Sequence, residues 1–218
     1  MSLCKLKPAL LASALALAGT AHAATVFSEG FDDVFGLADN GWVLTNNSSP
    51  ANNTVDGTGW FQGSADNGIF DAQAGAGYAA ANYNNAAAGG TIDNWLITPT
   101  FSTALAGTVT VWLRGDILDG FTDTARFGFS QGSSDIASFV TGSAVTATGT
   151  WTEYSFAYAA GGAGSTARFA IEYTGDADSA NFIGVDTLTI TAVPEPATWA
   201  LFALGAAGVV ARRRSSAR

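Results

Sequence analysis

The chain has 218 residues with 9 Lys or Arg and 18 Asp or Glu, and its formal net charge is −9. Residues 24–192 hold only three arginines against seventeen acidic residues, a net charge of −14. Such a charge repels nucleic acid and anionic membrane surfaces, so no nucleic-acid partner is expected. It suits divalent cations and neutral glycans, although an acidic exterior also simply keeps a protein dispersed in water.

The first 23 residues have the layout of a secretory signal peptide. Lys5 and Lys7 form its basic start, and an apolar segment runs from Ala9 to Ala18. Ala21 and Ala23 then supply the two small residues of a small-x-small cleavage site. We therefore predict cleavage after Ala23 and export from the cytoplasm.

Cleavage at this site would also remove reactive side chains. The only cysteine, Cys4, and the only histidine, His22, precede the predicted cut. The rest of the chain then has no disulfide, no thiol nucleophile and no imidazole base. Cys/His zinc sites and Ser-His-Asp or Cys-His catalysis are thereby excluded. We expect a non-catalytic protein with one domain over residues 24–192.

The first half of this domain is rich in turn-forming residues. Two such stretches, 46–59 and 63–77, flank Trp60 and Phe61. Loops carry function more often than cores do, and flat rings stack on sugar faces. Trp60 and Phe61 are therefore the predicted ligand-binding residues. The following Tyr78–Ala81 segment is predicted as a strand, with a short alanine helix as the alternative.

The second half of the domain alternates apolar and polar residues with a period of two. Val109, Val111 and Leu113 share one face, and Phe127 lies on the same face as Phe129. Further alternating rows are Tyr154, Phe156 and Tyr158, and then Phe169, Ile171 and Tyr173. This period predicts strands, and with no convincing helix they predict an all-β antiparallel β-sandwich. We expect Trp95, Phe129, Phe156 and Phe169 to be buried between its sheets.

The final strand of the domain changes parity. Ile183 and Val185 stand at odd positions, whereas Leu188 and Ile190 stand at even ones. A switch at Asp186–Thr187 predicts a β-bulge there, or else a strand that is buried on both faces.

The tail at 193–218 has three parts in a fixed order. It opens with Val193, Pro194, Glu195 and Pro196, and it ends with Arg212, Arg213 and Arg214. The prolines bar a regular helix or strand, the uncharged stretch Ala197–Ala211 follows, and the arginines favour the cytoplasmic side of a membrane. This apolar stretch is short beside the usual length of about 20 residues, which suits a transient transmembrane anchor. An ordinary C-terminal anchor with a proline linker is the alternative.

This order of parts resembles the PEP-CTERM sorting tail of bacterial exoproteins, which a membrane enzyme called exosortase reads and cuts. The resemblance implies an exosortase-like partner and contact with the membrane only through the tail, before processing. It also implies a final location in the cell envelope, the extracellular matrix or the medium.

Three landmarks of the domain carry a second resemblance. They are Phe27–Asp32 followed by Gly41-Trp42, Asp93–Pro99, and Phe182–Ile190. In this order they resemble the choice-of-anchor J domain, a relative of cleaved-adhesin and MAM-like jelly rolls. The resemblance spans Val26–Thr191 and implies a jelly roll. Members often have two adjacent aspartates in the closing strand, and here Thr187 holds the second place.

Glu29, Asp32 and Asp186 are the predicted calcium ligands. The first and last strands of a jelly roll commonly lie side by side, which would bring these acids together. Carboxylates are hard oxygen ligands of the kind that Ca²⁺ takes, and related jelly rolls often hold a structural calcium here. The alternative is that these acids are solvated, or make local bonds to backbone in turns.

The remaining acidic residues leave a second function open. Asp116, Asp119 and Asp123 are interpreted as solvated acids of a hairpin loop. Glu153 and Glu172, on the polar faces of strands, are the candidate acids of a secreted glycosidase-like hydrolase, since two carboxylates suffice for that chemistry. They also suit outward charges that protect a sheet from aggregation. The favoured function is an exported, non-catalytic protein that binds a glycan, an exopolysaccharide or another surface component.

Overall fold

The computed structural model describes residues 23–52, 59–66 and 69–193 of the chain. Apart from Ala23 and Val193, the predicted signal peptide and the predicted transmembrane sorting tail lie outside these residues. Within the described ranges, no helix combines the length and the hydropathy that crossing a membrane requires.

The described part of the chain consists of strands and three short 3₁₀ turns, with no α-helix. The turns are Ala38–Asn40, Tyr83–Asn85 and Ile136–Ser138. The strands in chain order are β1 (Ala24–Glu29), β2 (Val43–Asn46), β3 (Ser49–Ala51), β4 (Phe61–Gly63), β5 (Tyr78–Asn82), β6 (Ala86–Ile97), β7 (Phe101–Ser102), β8 (Gly107–Gly115), β9 (Thr124–Ser130), β10 (Val140–Thr141), β11 (Val145–Thr146), β12 (Thr152–Tyr158), β13 (Thr166–Asp176) and β14 (Phe182–Ala192). The strand predicted at Tyr78–Ala81 is confirmed as β5, and its helical alternative is wrong.

These strands form two antiparallel sheets that pack face to face. The first sheet has the order β12-β8-β14-β5-β4, with β1 also paired to β14. The second has the order β10-β9-β13-β6-β2, and β11, β3 and β7 pair with β9, β6 and β13. The predicted all-β sandwich is confirmed, and the first and last strands of the domain are neighbours as expected.

An aromatic cluster joins the two sheets. Phe156 of β12 lies 4.7 Å from Phe127 of β9 and 5.4 Å from Phe169 of β13, measured between ring centroids. Phe169 is fully buried, whereas Phe156 and Phe129 are half-buried against the same core. Burial of a phenylalanine as complete as that of Phe169 contributes about 3–5 kcal/mol to stability. The period-two prediction for these strands is confirmed.

Trp95 is buried, but it does not lie between the sheets. It packs with Ile97 and Ala170 in a separate apolar cluster, against the half-buried Ile136 and Phe139. Its ring lies 5.6 Å from that of Phe139, so the segment between β9 and β10 covers this outer face of the second sheet. The predicted position of Trp95 is therefore wrong, because burial of one residue does not reveal which face of a sheet it occupies.

The predicted bulge in the last strand is confirmed. The register of β14 on β8 shifts between Asp186 and Thr189, and Thr187 has a φ of 45°. Leu188 and Ile190 are fully buried, so the extra residue returns apolar side chains to the core after the bulge. The bulge also fixes where Asp186 meets the neighbouring loop.

Candidate functional site

The segment Ile69–Gly77, called the strap here, covers part of the outer face of the first sheet. Phe70 is 8% exposed and belongs to an apolar cluster separate from the main core. Its ring contacts Tyr78 at 4.9 Å, Trp151 at 5.4 Å and Phe182 at 5.5 Å. Trp151 also donates from Nε1 to the carbonyl of Asp71 at 2.9 Å. The strap is therefore packed against the sheet.

Asp186 holds the middle of the strap from the bulge of β14. Its Oδ2 accepts the backbone N–H groups of Gln73 at 2.7 Å and Ala74 at 3.2 Å. Its Oδ1 accepts the N–H of Thr187 at 2.6 Å. Burial raises the pKa of Asp186 above its ordinary value, although the N–H groups that it accepts act in the opposite direction. Asp186 is thus a buried carboxylate satisfied by backbone donors.

Asp32 holds the C-terminal end of the same strap. Its Oδ1 accepts the N–H groups of Ala76 at 2.6 Å and Gly77 at 3.0 Å. Gly75 has a φ of 69°, and a Cβ at this position would lie 2.5 Å from Oδ1 of Asp32. Only glycine fits this close approach without a shift. The opening and closing segments of the domain therefore bind one loop at two points.

The structure gives the predicted calcium ligands other partners. Glu29 accepts the N–H of Phe31 at 2.9 Å. The two N–H groups on Oδ1 of Asp32, and the two on Oδ2 of Asp186, match the two lone pairs of each oxygen. A cation bound by either oxygen would have to displace a donor. Among the described residues, no three His, Cys, Asp or Glu side chains form a group able to hold a metal. Backbone bonding is the alternative that the sequence left open, and calcium binding stays a prediction.

The predicted ligand-binding rings have different positions. Trp60 is 1% exposed and packs in the main core, so the prediction of a surface ring at this position is wrong. Phe61 is half-buried, 5.9 Å from the ring of Phe182, and its role stays a prediction. Pairing of Phe61 with Ala80 makes this segment a strand, and neighbouring residues of a strand occupy opposite faces. The polar surroundings in the sequence do not reveal that pairing.

The two candidate hydrolase acids do not form a pair. Glu153 is exposed on β12 and alternates with residues that contact the core, so it lies on the outer face of the first sheet. Glu172, on β13, is cross-strand to Trp95 on the outer face of the second sheet. It is 5% exposed and forms an ion pair with Arg126 at 3.3 Å. Carboxylates on opposite outer faces cannot flank one glycosidic bond.

A cleft of about 440 Å³ opens where four loops meet at one end of the sandwich, and it is called the loop cleft here. Three large apolar side chains at its border stay exposed: Tyr83 (45%), Leu118 (50%) and Phe121 (40%). The remaining lining residues are Asn52, Asn84, Ala86, Ala88, Ala177, Asp178 and Asn181. Exposed rings beside side-chain amides are the composition expected of a small-ligand site.

Hydrogen bonds between loops fix the shape of the loop cleft. The N–H of Tyr83 donates to the carbonyl of Asn181 at 3.1 Å. The N–H of Thr122 donates to the carbonyl of Ser179 at 2.7 Å. Asp178 accepts the N–H of Gly89 at 2.9 Å. These bonds join segments that are distant in the sequence, so they hold the loops around the cleft together.

The buried Asp123 accepts hydrogen bonds that fix the backbone beside the loop cleft. It is 4% exposed and accepts the hydroxyl of Tyr173 at 2.6 Å, the N–H of Asn181 at 2.9 Å and the N–H of Phe182 at 3.1 Å. Burial raises the pKa of Asp123, and burial together with this carboxylate raises the pKa of Tyr173 well above its ordinary value. The prediction that Asp123 is a solvated loop acid is wrong, because its burial depends on β13 and β14.

A wider groove of about 970 Å³ lies at the opposite end of the sandwich. Most of its lining residues are Ser, Thr, Ala or Gly. Its rings, Phe129 and Tyr158, are half-buried against the core, and Tyr158 donates its hydroxyl to the carbonyl of Thr191 at 2.9 Å. The loop cleft is the better candidate site, because its rings are available to a ligand.

Reasoning from the sequence missed the loop cleft, although one signal was present. Ile117, Leu118 and Phe121 are large apolar residues within a turn-rich, acidic segment, where solvated loops ordinarily have polar residues. Their exposed fractions are 65% for Ile117 and 40–50% for the other two, so these side chains are not buried in the core. Apolar residues at a turn were therefore a usable marker of this exposed apolar surface.

Comparisons with known proteins agree with the fold and with the tail. Residues 192–214 match the PEP-CTERM protein-sorting motif, which marks the chain as an exported protein. The domain is similar to the K3 cleaved adhesin domain of Lys-gingipain from Porphyromonas gingivalis W83, with a TM-score of 0.56 at 20% identity over 78% of this chain and 99% of that chain. The K1 cleaved adhesin domain of the same protein gives 0.56 at 21% identity, over 78% and 98%. At this identity the likeness concerns the fold, a jelly roll. A comparison with curated proteins finds no match.

Proposed function

We propose that this chain is an exported, non-catalytic surface protein whose jelly roll binds a glycan in the loop cleft. The observation that carries the proposal is the exposure of Tyr83, Leu118 and Phe121 around a cleft whose other lining residues are three asparagines, three alanines and one aspartate. Clustered exposed apolar side chains mark binding surfaces more often than chance placements. A volume of about 440 Å³ lies within the usual range of ligand sites.

The chemistry of the lining matches sugars. Sugar rings present C–H faces that pack on Tyr83 and Phe121, and their edges carry hydroxyl groups that both donate and accept. The amides of Asn52, Asn84 and Asn181 offer donors and acceptors to such groups. Because bonds between loops already hold the cleft, binding orders few side chains and loses little affinity to that ordering.

The binding proposal is tested on the exported protein recovered from host cells, with a glycan array. Phe121→Ala should lower the affinity for whichever glycans the wild type binds by about tenfold, which corresponds to about 1.4 kcal/mol. Tyr83→Ala should act in the same direction. The matched control is Phe35→Ala, since Phe35 is 67% exposed and lies outside the cleft. An unchanged affinity in both cleft variants, or an equal loss in the control, would sink the proposal.

We also propose that an exosortase-like enzyme cuts the tail near Val193–Pro196 after export. The uncharged segment Ala197–Ala211 would anchor the precursor in the membrane until that cut, with the arginines on the cytoplasmic side. The processed domain would then remain in the envelope or matrix, or enter the medium. Mass spectrometry of the exported protein should find no residues from Pro196 to Arg218. Recovery of the intact C-terminus would contradict the cut.

Replacement of Arg212, Arg213 and Arg214 by glutamine tests the sorting step separately. Loss of these charges removes the signal that keeps this end in the cytoplasm, so the precursor should be retained less well during sorting. Immunoblots of membrane and medium fractions measure this change. A distribution identical to that of the wild type would show that the arginines have no part in sorting.

A further inference from the structure

The domain has no cationic side chain to offer to a ligand in the loop cleft. Its three arginines are all engaged elsewhere: Arg114 lies 4.2 Å over the ring of Phe70, and Arg126 pairs with Glu172 at 3.3 Å. Arg168 donates to three backbone carbonyls at 2.7–3.2 Å. Residues 24–192 contain no lysine or histidine, so no loop of the domain can bring another cationic side chain to the cleft.

Acidic residues, in contrast, stand at the cleft and beside it. Asp178 lines the cleft and is exposed, with Oδ1 on the N–H of Gly89. Asp119 follows the lining residue Leu118, and Asp116 accepts the side-chain amide of Asn181 at 2.9 Å. Together with a domain charge of −14, these groups favour a negative potential at the cleft.

The amides of the cleft complete its recognition chemistry. Nδ2 of Asn181 donates to the backbone and side-chain oxygens of Asp116, at 3.1 and 2.9 Å, which leaves Oδ1 as an acceptor. Within the described residues, no hydrogen bond uses that Oδ1 or the side-chain amides of Asn52 and Asn84. Acceptors and neutral donors of this kind suit hydroxyl, acetamido and amino groups, whereas a carboxylate or sulfate finds no charged donor.

We infer that the loop cleft selects uncharged and amino-bearing glycans and rejects uronate-containing or sulfated ones, with Asp178 as a specificity-determining residue. The inference rests on the proposed glycan binding and adds the chemical class of the ligand. Rejection follows from the approach of an anionic sugar to Asp178 without a compensating cation. Since Asp178 is exposed, added salt screens this repulsion.

The test compares each glycan that the exported protein binds with its acidic counterpart, in which the C6 hydroxymethyl group is oxidised to a carboxylate or a hydroxyl is sulfated. At low ionic strength we expect binding of the acidic member to be weaker by about fivefold or more. This difference in affinity between the neutral and the acidic glycan, called the gap here, should shrink at about 1 M salt, where the Debye length is about 3 Å. Asp178→Asn keeps an acceptor for the N–H of Gly89 and should narrow the gap. Asp135→Asn, an exposed acid outside the cleft, should leave it unchanged.

Each outcome separates the inference from the function on which it rests. Equal or tighter binding of acidic glycans, still lost in Phe121→Ala, would overturn the inference and keep the proposed function. A preference for neutral glycans that Asp178→Asn does not alter would remove Asp178 from its assigned role. Binding of no glycan by the wild type would end both proposals.

Discussion

The strap and the loop cleft are held in place by the same kind of hydrogen bond, but they differ in the exposure of their aromatic rings. In both, a buried aspartate from the sandwich accepts backbone N–H groups of a loop: Asp186 does so in the strap and Asp123 at the cleft. The rings differ. Phe70 of the strap is 8% exposed against the sheet, whereas Phe121 of the cleft is 40% exposed. The strap therefore buries its ring against the sheet, whereas the cleft leaves its ring partly exposed to solvent.

This difference shows that anchoring a loop and burying its aromatic ring are separate features of the fold. Carboxylate-to-amide bonds fix the backbone in either case, because buried backbone donors require partners. The first sheet receives Phe70 because Gly184 leaves room: a Cβ there would lie 2.9 Å from both Phe70 and Tyr78. No glycine of the described residues makes a comparable close approach to Phe121, and its ring stays partly exposed.

The largest expected effect sharpens this contrast. Phe70→Ala should lower the free energy of unfolding by about 3–5 kcal/mol, because it removes a buried ring and leaves a cavity. Phe121→Ala should lower it by less than about 1 kcal/mol, since that ring is partly solvated already. Urea denaturation of the exported protein measures both. Equal losses in the two variants would break the distinction between a structural ring and a binding ring.

Asp186→Asn should have the next largest effect, about 1–3 kcal/mol of stability, because the new amide group faces N–H donors that then lack an acceptor. Asp33→Asn is the control, since Asp33 accepts only the local N–H of Gly36 and is exposed. The same variants test the calcium prediction. If calcium binds, millimolar Ca²⁺ should raise the Tm of the wild type and of Asp33→Asn but not of Asp186→Asn. If Ca²⁺ does not change the Tm of the wild type, the calcium prediction is wrong and Asp186 serves only to hold the strap.

A smaller effect should appear in the pH dependence of the free energy of unfolding, through the buried Asp123 beside the loop cleft. Burial raises the pKa of Asp123 in the folded state, so the folded protein binds this proton more tightly than the unfolded chain does. Relative to Asp123→Asn, which does not titrate, the wild type should therefore gain stability as pH falls from about 7 to about 4. The difference between their unfolding free energies across this range is the measurement. A constant difference, or one that moves against the wild type in acid, would contradict the raised pKa.

The sequence predicted local features well and the assembled site poorly. Period-two rows such as Val109, Val111 and Leu113 identify strands, because alternation reflects a local geometry that holds wherever the strand packs. The bulge at Asp186 and Thr187 was visible for the same reason. The loop cleft was not, because Tyr83, Leu118 and Asp178 come from loops that only the folded sheets bring together.

The sequence by itself determined the all-β sandwich and its alternating core, together with the acidic charge and the PEP-CTERM motif at 192–214. These depend on composition, short periods and the order of a few residues. Only the tertiary structure decided that Trp60 lies inside, that Trp95 lies outside the sandwich, and that Asp123 is buried. Each of these outcomes depends on which other segments pack over the residue. Those segments are distant along the chain, so the residues next to it in the sequence do not reveal them.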